Sequence, residues 1–202
     1  AEEALTKKLG FNIAGGTHHA FVDRGEGFCL LNDQVIAAND LLTQQGIQKI
    51  LIIDLDVHQG NGTASILEND ASIFTLSIHG ENNFPFIKER SDHDVGLPDE
   101  TGDEAYLATL QQSLEILDTR FKPNCIIYLA GADPHEGDRL GKLSLTQEGI
   151  RQRDEAVFQY GLARQIPIAF SMAGGYGKEI QSTVDIHFQT IQTALHFQQQ
   201  YA

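Results

Sequence analysis

The stretch ILIIDLDVH at residues 50–58 decides the fold. Residues 50–55 form a nearly continuous apolar, β-branched run, which is typical of a strand buried on both faces of a parallel sheet. Asp54, Asp56 and His58 occupy alternate positions, and alternate side chains of an extended chain point the same way. The stretch therefore predicts a buried strand that presents two carboxylates and an imidazole at its carboxyl end.

Three further runs of this kind lie at residues 73–78, 125–130 and 166–173, and helical patterns occupy residues 30–45, 103–121, 147–165 and 180–200. Ser144 followed by Gln147 fits a helix-capping box, and Gly46 and Pro123 end the helices before them. The alternation predicts an α/β fold with helices flanking a parallel sheet, as a single domain over residues 1–202. Residues 80–102 lack periodicity and are expected to form a long loop that lines a site.

Composition limits the partners of the protein. The chain carries 28 acidic and 14 basic residues, a formal net charge of −14, which disfavours binding to nucleic acid or to an anionic membrane. We expect neither partner, and the composition leaves the oligomeric state open. No apolar stretch is long enough to span a bilayer, and the first residues lack the charged and apolar pattern of a leader, so we expect neither a membrane span nor a secretory signal. Cys29 and Cys125 lie far apart among apolar neighbours, so we predict reduced thiols and a cytoplasmic location.

Polar groups follow each predicted strand. Asp54, Asp56 and His58 follow the first, His79 follows the second, and Asp133 and Tyr176 follow the last two. Ligands of open α/β sheets bind beyond the carboxyl ends of the strands, so these groups are expected to share one site. Crowded carboxylates repel one another unless a cation lies among them, and zinc accepts carboxylate and imidazole ligands. The DxDxH string alone is equally compatible with a helix cap and a surface histidine.

Other residues suit catalysis, each with a simpler alternative. His18 and His19 follow a flexible glycine pair, and histidine is the commonest acid–base catalyst near neutral pH, but such a pair also occurs in ordinary polar loops. Tyr176 has a phenol that could donate to an oxyanion, or it could simply pack. Asp133 could be a turn residue.

Taken together, these motifs resemble the histone deacetylase family and its bacterial relatives. The matching strings, in order, are GGTHHA (15–20), GFC (27–29) with ND (32–33), DLDVHQGNGT (54–63), GAD (131–133), GDRLG (137–141) and GGY (174–176). The string HQGNG at 58–62 is most similar to the class IV branch, because class I enzymes carry a second His and an Asp there. The resemblance implies an arginase/deacetylase-like three-layer sandwich whose N-terminal part, including a rim aspartate, is missing before Ala1.

The resemblance also implies roles for individual residues. Asp56, His58 and Asp133 would be zinc ligands, and His19 would be the general base and then the acid. His18, paired with Asp54, would act electrostatically, and Tyr176 would donate to the carbonyl oxygen of the substrate. The walls of the substrate tunnel would be Gly27, Phe28, Phe84 and Leu140. A potassium ion would be bound behind the zinc strand by Asp54, Asp56, His58, Ser77 and Ile78.

One departure from the family concerns Asn61. It stands where many relatives have the Asp that pairs with His19, and a neutral partner orients the ring without stabilising its protonated form. We therefore predict a lower pKa of His19 than in relatives that carry the Asp. His93, His135, His187 and His196 receive no role from these patterns.

Three function classes are compatible with the sequence. The first is a zinc amidohydrolase acting on acyl-lysine, with acetylpolyamines and other small acylated amines as alternative substrates. The second is an arginase-type hydrolase with two manganese ions, but Gly60 stands where a second metal would need a carboxylate. The third is a non-catalytic protein that binds acyl groups. The acyl length and the amine carrier are left open.

Overall fold

The computed structural model describes residues 1–44 and 46–201. Its strands are β1 Leu9–Asn12, β2 Ile50–Asp54, β3 Ile73–Gly80, β4 His93–Leu97, β5 Cys125–Ala130 and β6 Ile168–Met172. Its helices are α1 Glu2–Lys7, α2 Asp33–Thr43, α3 Asn61–Leu67, α4 Asp103–Arg120, α5 Gln147–Ala163 and α6 Ile180–Gln198. All six strands are parallel and lie in the order β1-β6-β5-β2-β3-β4, which confirms the predicted α/β class.

The central strand β2 explains the continuous apolar run of the sequence. Leu51 and Ile53 pack into a cluster that includes residues of α4, α5 and α6, whereas Ile50 and Ile52 pack into a second cluster with residues of α2 and α3. Each cluster covers one side of the sheet, so successive side chains of β2 are buried on opposite faces. Cys125 belongs to the second cluster and is a free, buried thiol, as is Cys29.

The elements that the sequence did not predict are short or partly exposed. The expected loop at residues 80–102 contains β4, in which partly buried residues alternate with exposed ones before the buried Leu97. An edge strand of this kind carries no continuous apolar run, so the prediction of a loop was wrong for these five residues. The helix α1, the strand β1 and the helix α3 were also missed, and they are 6, 4 and 7 residues long.

Helix boundaries differ by a few residues from the patterns. Thr146, not Ser144, caps α5, because its hydroxyl accepts a hydrogen bond of 3.0 Å from the amide of Gly149. The first long helix ends at Thr43, and the predicted end at Gln45 lies outside the described residues. None of the helices in the described ranges is long and apolar enough to cross a membrane.

Candidate metal centre

The carboxyl ends of β2, β5 and β6 bring the predicted residues together around one cavity of about 660 Å³. Asp56 and His58 follow β2, Tyr176 follows β6, and the loop before α2 supplies His18 and His19. Five further residues that were predicted from the sequence lie at or beside this cavity: Gly27, Phe28, Phe84 and Leu140 on its wall and Asp133 beneath it, against Asp56 and His58.

Three donor groups converge at the base of this cavity. One ligand atom from each of Asp56, His58 and Asp133 lies within 4.8 Å of the other two. The Nδ1 atom of His58 is 3.0 Å from Oδ1 of Asp56 and 3.1 Å from Oδ2 of Asp133. Both aspartates are buried, with 1% and 0% of their surface exposed. Two buried carboxylates and one imidazole therefore face a common point.

The backbone holds the carboxylates by their other oxygens. The amide of Val57 donates to Oδ1 of Asp133 at 2.9 Å, and the amide of Gly174 donates to Oδ2 of Asp56 at 2.7 Å. A Cβ atom at Gly174 would lie 2.0 Å from Oδ2 of Asp133, which explains the need for glycine there. These bonds orient the carboxylates before any ligand is bound, as partners of metal ligands commonly do.

The electrostatics of the three groups favour a cation. Burial raises the pKa of Asp133 to about 7, and the charge of Asp56 adds to the shift. Burial opposes protonation of His58, but its hydrogen bonds to Asp133 and Asp56 outweigh this effect and raise its pKa to about 10. The two carboxylates thus draw positive charge to the point they share with His58. A divalent ion of the zinc type fits this donor set, with the cavity side open to a further ligand.

His18 forms a buried ion pair next to this centre. Its Nδ1 donates to Oδ2 of Asp54 at 2.6 Å, and 3% and 4% of the two residues are exposed. Burial opposes protonation of His18, but Asp54 and then Asp56 outweigh it and raise its pKa to about 9. His18 therefore carries a positive charge near neutral pH.

His19 has a different partner and a different charge. Its Nδ1 lies 2.7 Å from Oδ1 of Asn61, whose amide nitrogen donates to Glu26 at 3.2 Å. Because Asn61 turns its nitrogen to Glu26, its oxygen faces His19, so Nδ1 of His19 carries the hydrogen and Nε2 keeps its lone pair. Burial and then the charge of His18 lower the pKa of His19 to about 3. His19 is therefore a neutral base.

The cavity walls are aromatic and constrain His19. The ring of Phe84 meets the ring of His19 edge-on at 5.0 Å, and Phe28 lies 6.1 Å from the ring of Tyr176. Gly27 has φ +52°, and a Cβ atom there would lie 2.3 Å from the His19 ring. Burial raises the pKa of Tyr176, so its phenol remains a hydrogen-bond donor. Leu140 is 46% exposed at the rim of the cavity.

Two of the residues predicted to bind potassium, Asp54 and Ser77, lie on adjacent strands. Asp54 is directly opposite Ser77 in the register of β2 and β3, and the next residue, Ile78, is fully buried. The Ser77 hydroxyl is 2.9 Å from Nδ1 of His79. These contacts put Asp54 and Ser77 side by side, and potassium binding there remains a prediction.

Residues without a predicted role lie mostly away from the cavity. His93 contacts Ser113 on α4 at 3.2 Å, His135 accepts from the amide of Gly137, His187 is buried on α6, and His196 is exposed. Sequence reasoning missed Glu26, which supports Asn61. The only sequence signal for Glu26 was its position beside Gly27.

The sequence of the chain is similar to that of known proteins. A sequence model of the histone deacetylase domain matches residues 1–191. An uncharacterized protein of Picosynechococcus sp. is 48% identical over 187 residues, which cover 93% of this chain and 62% of that protein. Histone deacetylase 2 of Arabidopsis thaliana is 35% identical over 181 residues, which cover 88% of this chain and 47% of that protein.

A solved structure is similar as well. An HDAC homolog from Aquifex aeolicus matches with a TM-score of 0.81 at 27% identity, over 96% of this chain and 54% of that chain. An HDAC homolog complexed with SAHA matches with a TM-score of 0.80. The chain therefore spans between 47% and 62% of the length of the two protein relatives named above.

Proposed function

This chain belongs to the histone deacetylase family, and on that premise we propose that it is a zinc-dependent amidohydrolase that removes an acyl group from an amine such as acyl-lysine. The observation that carries the proposal is the convergence of Asp56, His58 and Asp133 beneath the cavity that holds the neutral base His19. The three residues would hold the zinc ion. When bound there, zinc supplies Lewis-acid polarisation of a carbonyl and lowers the pKa of a water molecule.

The side chains of the protein have separate tasks in this reaction. His19 accepts the proton of the attacking water at Nε2, because its Nδ1 hydrogen is held by Asn61, and later returns that proton to the leaving amine. His18 remains protonated beside Asp54 and adds positive charge where negative charge develops. The Tyr176 phenol donates a hydrogen bond to the substrate oxygen as it becomes an oxyanion.

The walls of the cavity suit a long, thin substrate. Phe28, Phe84 and Leu140 offer apolar surface, and Gly27 keeps the wall clear of His19. We propose that the methylene chain of an acylated lysine or a similar amine lies between them. Acetylpolyamines and other small acylated amines fit the same description, and a potassium ion at Asp54 and Ser77 would be structural.

One observation favours a single metal over the two-manganese arginase type. A Cβ atom at Gly60 would lie 2.4 Å from Oδ2 of Asp54, so a carboxylate side chain has no room at this position. The intact donor set and the hydrogen-bonded His19 favour an enzyme over a non-catalytic binding protein. We also propose the class IV branch, from HQGNG at 58–62, and a cytoplasmic location.

The test is activity on acetyl-lysine and longer acyl-lysine peptides with zinc content measured in parallel. Asp133→Ala should lose zinc and activity together, whereas Tyr176→Phe should keep zinc and lose about 10²–10³-fold in kcat. Matched controls are Asp185→Ala at an exposed position of α6 and Tyr160→Phe, which removes a hydroxyl that contacts Asp118. Full activity of Asp133→Ala would refute the ligand set.

A further inference from the structure

Arg153 on α5 is the largest fully buried side chain of the described residues, and none of its surface is exposed. A buried guanidinium needs hydrogen-bond partners for its donors and a compensating negative charge. Its terminal nitrogen Nη1 donates to the carbonyl of Gly131 at 2.6 Å and to that of Leu55 at 3.3 Å. Its other two nitrogens donate to Oδ1 of Asp154 at 2.9 and 2.7 Å.

The two carbonyls belong to the strand ends that carry the metal ligands. The carbonyl of Leu55 is part of the peptide that leads into Asp56, and the carbonyl of Gly131 lies two residues before Asp133. The strand ends are also in close approach, since a Cβ atom at Gly131 would lie 2.9 Å from Cα of Asp56. One guanidinium nitrogen therefore ties together the backbones that carry Asp56 and Asp133.

Asp154 fixes the guanidinium of Arg153 relative to the helices. Its Oδ1 accepts from the Tyr128 hydroxyl at 2.5 Å, and its Oδ2 accepts from the Thr190 hydroxyl on α6 at 2.6 Å. The carboxylate that holds the guanidinium is thus itself held by buried hydroxyls from β5 and α6. A side chain fixed on one side and bonded to two loops on the other sets the separation of those loops.

We infer that Arg153 is a positioning residue that sets the spacing of Asp56 and Asp133 and thereby the affinity of the metal centre. The inference rests on the proposed zinc function. Arginine is needed because its planar fork reaches Asp154 and the two carbonyls at the same time, whereas the single ammonium of lysine cannot. No sequence pattern pointed to Arg153, because its partners Leu55 and Gly131 are distant in the chain.

The test compares Arg153→Lys with Arg151→Lys in the purified protein. Arg151 lies on the same helix but pairs with Glu148 and Glu155 at the surface, so its variant is the matched control. Zinc affinity is measured by competition with a chromophoric chelator, and the geometry is followed by the visible spectrum of the cobalt-substituted protein. Arg153→Lys should bind zinc about 10–100-fold more weakly, with an altered cobalt spectrum, and Arg151→Lys should match the native protein.

Kinetics separate positioning from substrate binding. Arg153→Lys should lower kcat on an acetyl-lysine peptide at saturating zinc, while KM changes by less than about twofold, because the tunnel walls are untouched. Native zinc affinity and an unchanged cobalt spectrum in a folded Arg153→Lys would overturn the inference. A native protein that binds no zinc would instead refute the proposed function, so the two failures are distinguishable.

A second variant removes the buried charges together. Arg153→Met with Asp154→Leu replaces the ion pair by apolar side chains, a change that folded proteins often tolerate because no charge is left unpaired. This double variant should fold, shown by its circular dichroism, and should also bind zinc at least about tenfold more weakly. Native zinc affinity in the double variant would contradict the inference, and so would the loss of folding in both variants.

Discussion

His187 makes the stability of this protein sensitive to acid. It lies on α6 with 7% of its surface exposed, and burial and then the positive charge of Arg153 lower its pKa from 6.5 to about 4, against the opposing charges of Asp154 and Asp56. The folded chain thus binds fewer protons than the unfolded chain between pH 4 and pH 6.5. Stability from this group is complete above pH 6.5 and is lost as the pH falls towards 4. A shift of this size corresponds to about 3 kcal/mol.

The perturbation is His187→Gln, which keeps a polar side chain but removes the titration. The assay is urea unfolding followed by circular dichroism from pH 4.0 to 7.5 at fixed zinc concentration. The loss of unfolding free energy between pH 7 and pH 4 should be about 3 kcal/mol smaller in the variant than in the native protein. His196→Gln, at an exposed position of the same helix, should leave the loss unchanged. Equal losses in the native protein and His187→Gln would refute the reasoning.

Three further predictions concern the site and the core. Gly174→Ala should weaken zinc binding more than about tenfold, because its Cβ would lie 2.0 Å from Oδ2 of Asp133. Zinc affinity is measured by titration with a chelator. The control Gly102→Ala, whose Cβ would lie 3.8 Å from its nearest neighbour, should bind zinc as the native protein does. Asn61→Asp should raise the pKa of His19 and move the acidic limb of the profile of kcat/KM against pH to higher pH, and an unmoved limb would count against the role of Asn61. Ile53→Ala, in the fully buried centre of β2, should lower the free energy of unfolding by about 2–5 kcal/mol, against less than about 0.5 kcal/mol for Ile13→Ala at a position that is 75% exposed.

The central part of the fold was predictable because a strand that is buried on both faces has a nearly continuous apolar sequence. The strands β2, β3, β5 and β6 coincide with the four apolar runs to within two residues at every end. The strand β4 lies at the edge of the sheet, where its side chains are partly exposed. Its sequence HDVGL therefore contains no continuous apolar run. The strand β1, at the opposite edge, is only four residues long.

The members of the candidate site and the partners of its two adjacent histidines were also predictable, but the charges of the two histidines were not. Asp56, His58 and Asp133 were expected at one edge because parallel strands end together. The resemblance implied that His18 pairs with Asp54 and His19 with Asn61, and both pairs lie within hydrogen-bonding distance in the structure. The two rings consequently have opposite protonation, which depends on contacts made across more than 30 residues of chain.

The sequence by itself determined which segments form the buried strands and which polar residues follow them, because both properties are carried by neighbouring residues. Only the tertiary structure decided the distances within the donor set, the charge of each histidine and the tie that Arg153 makes between Leu55 and Gly131. These depend on residues that are far apart in the chain, and on a buried environment in which a few ångströms decide which hydrogen bonds and ion pairs can form.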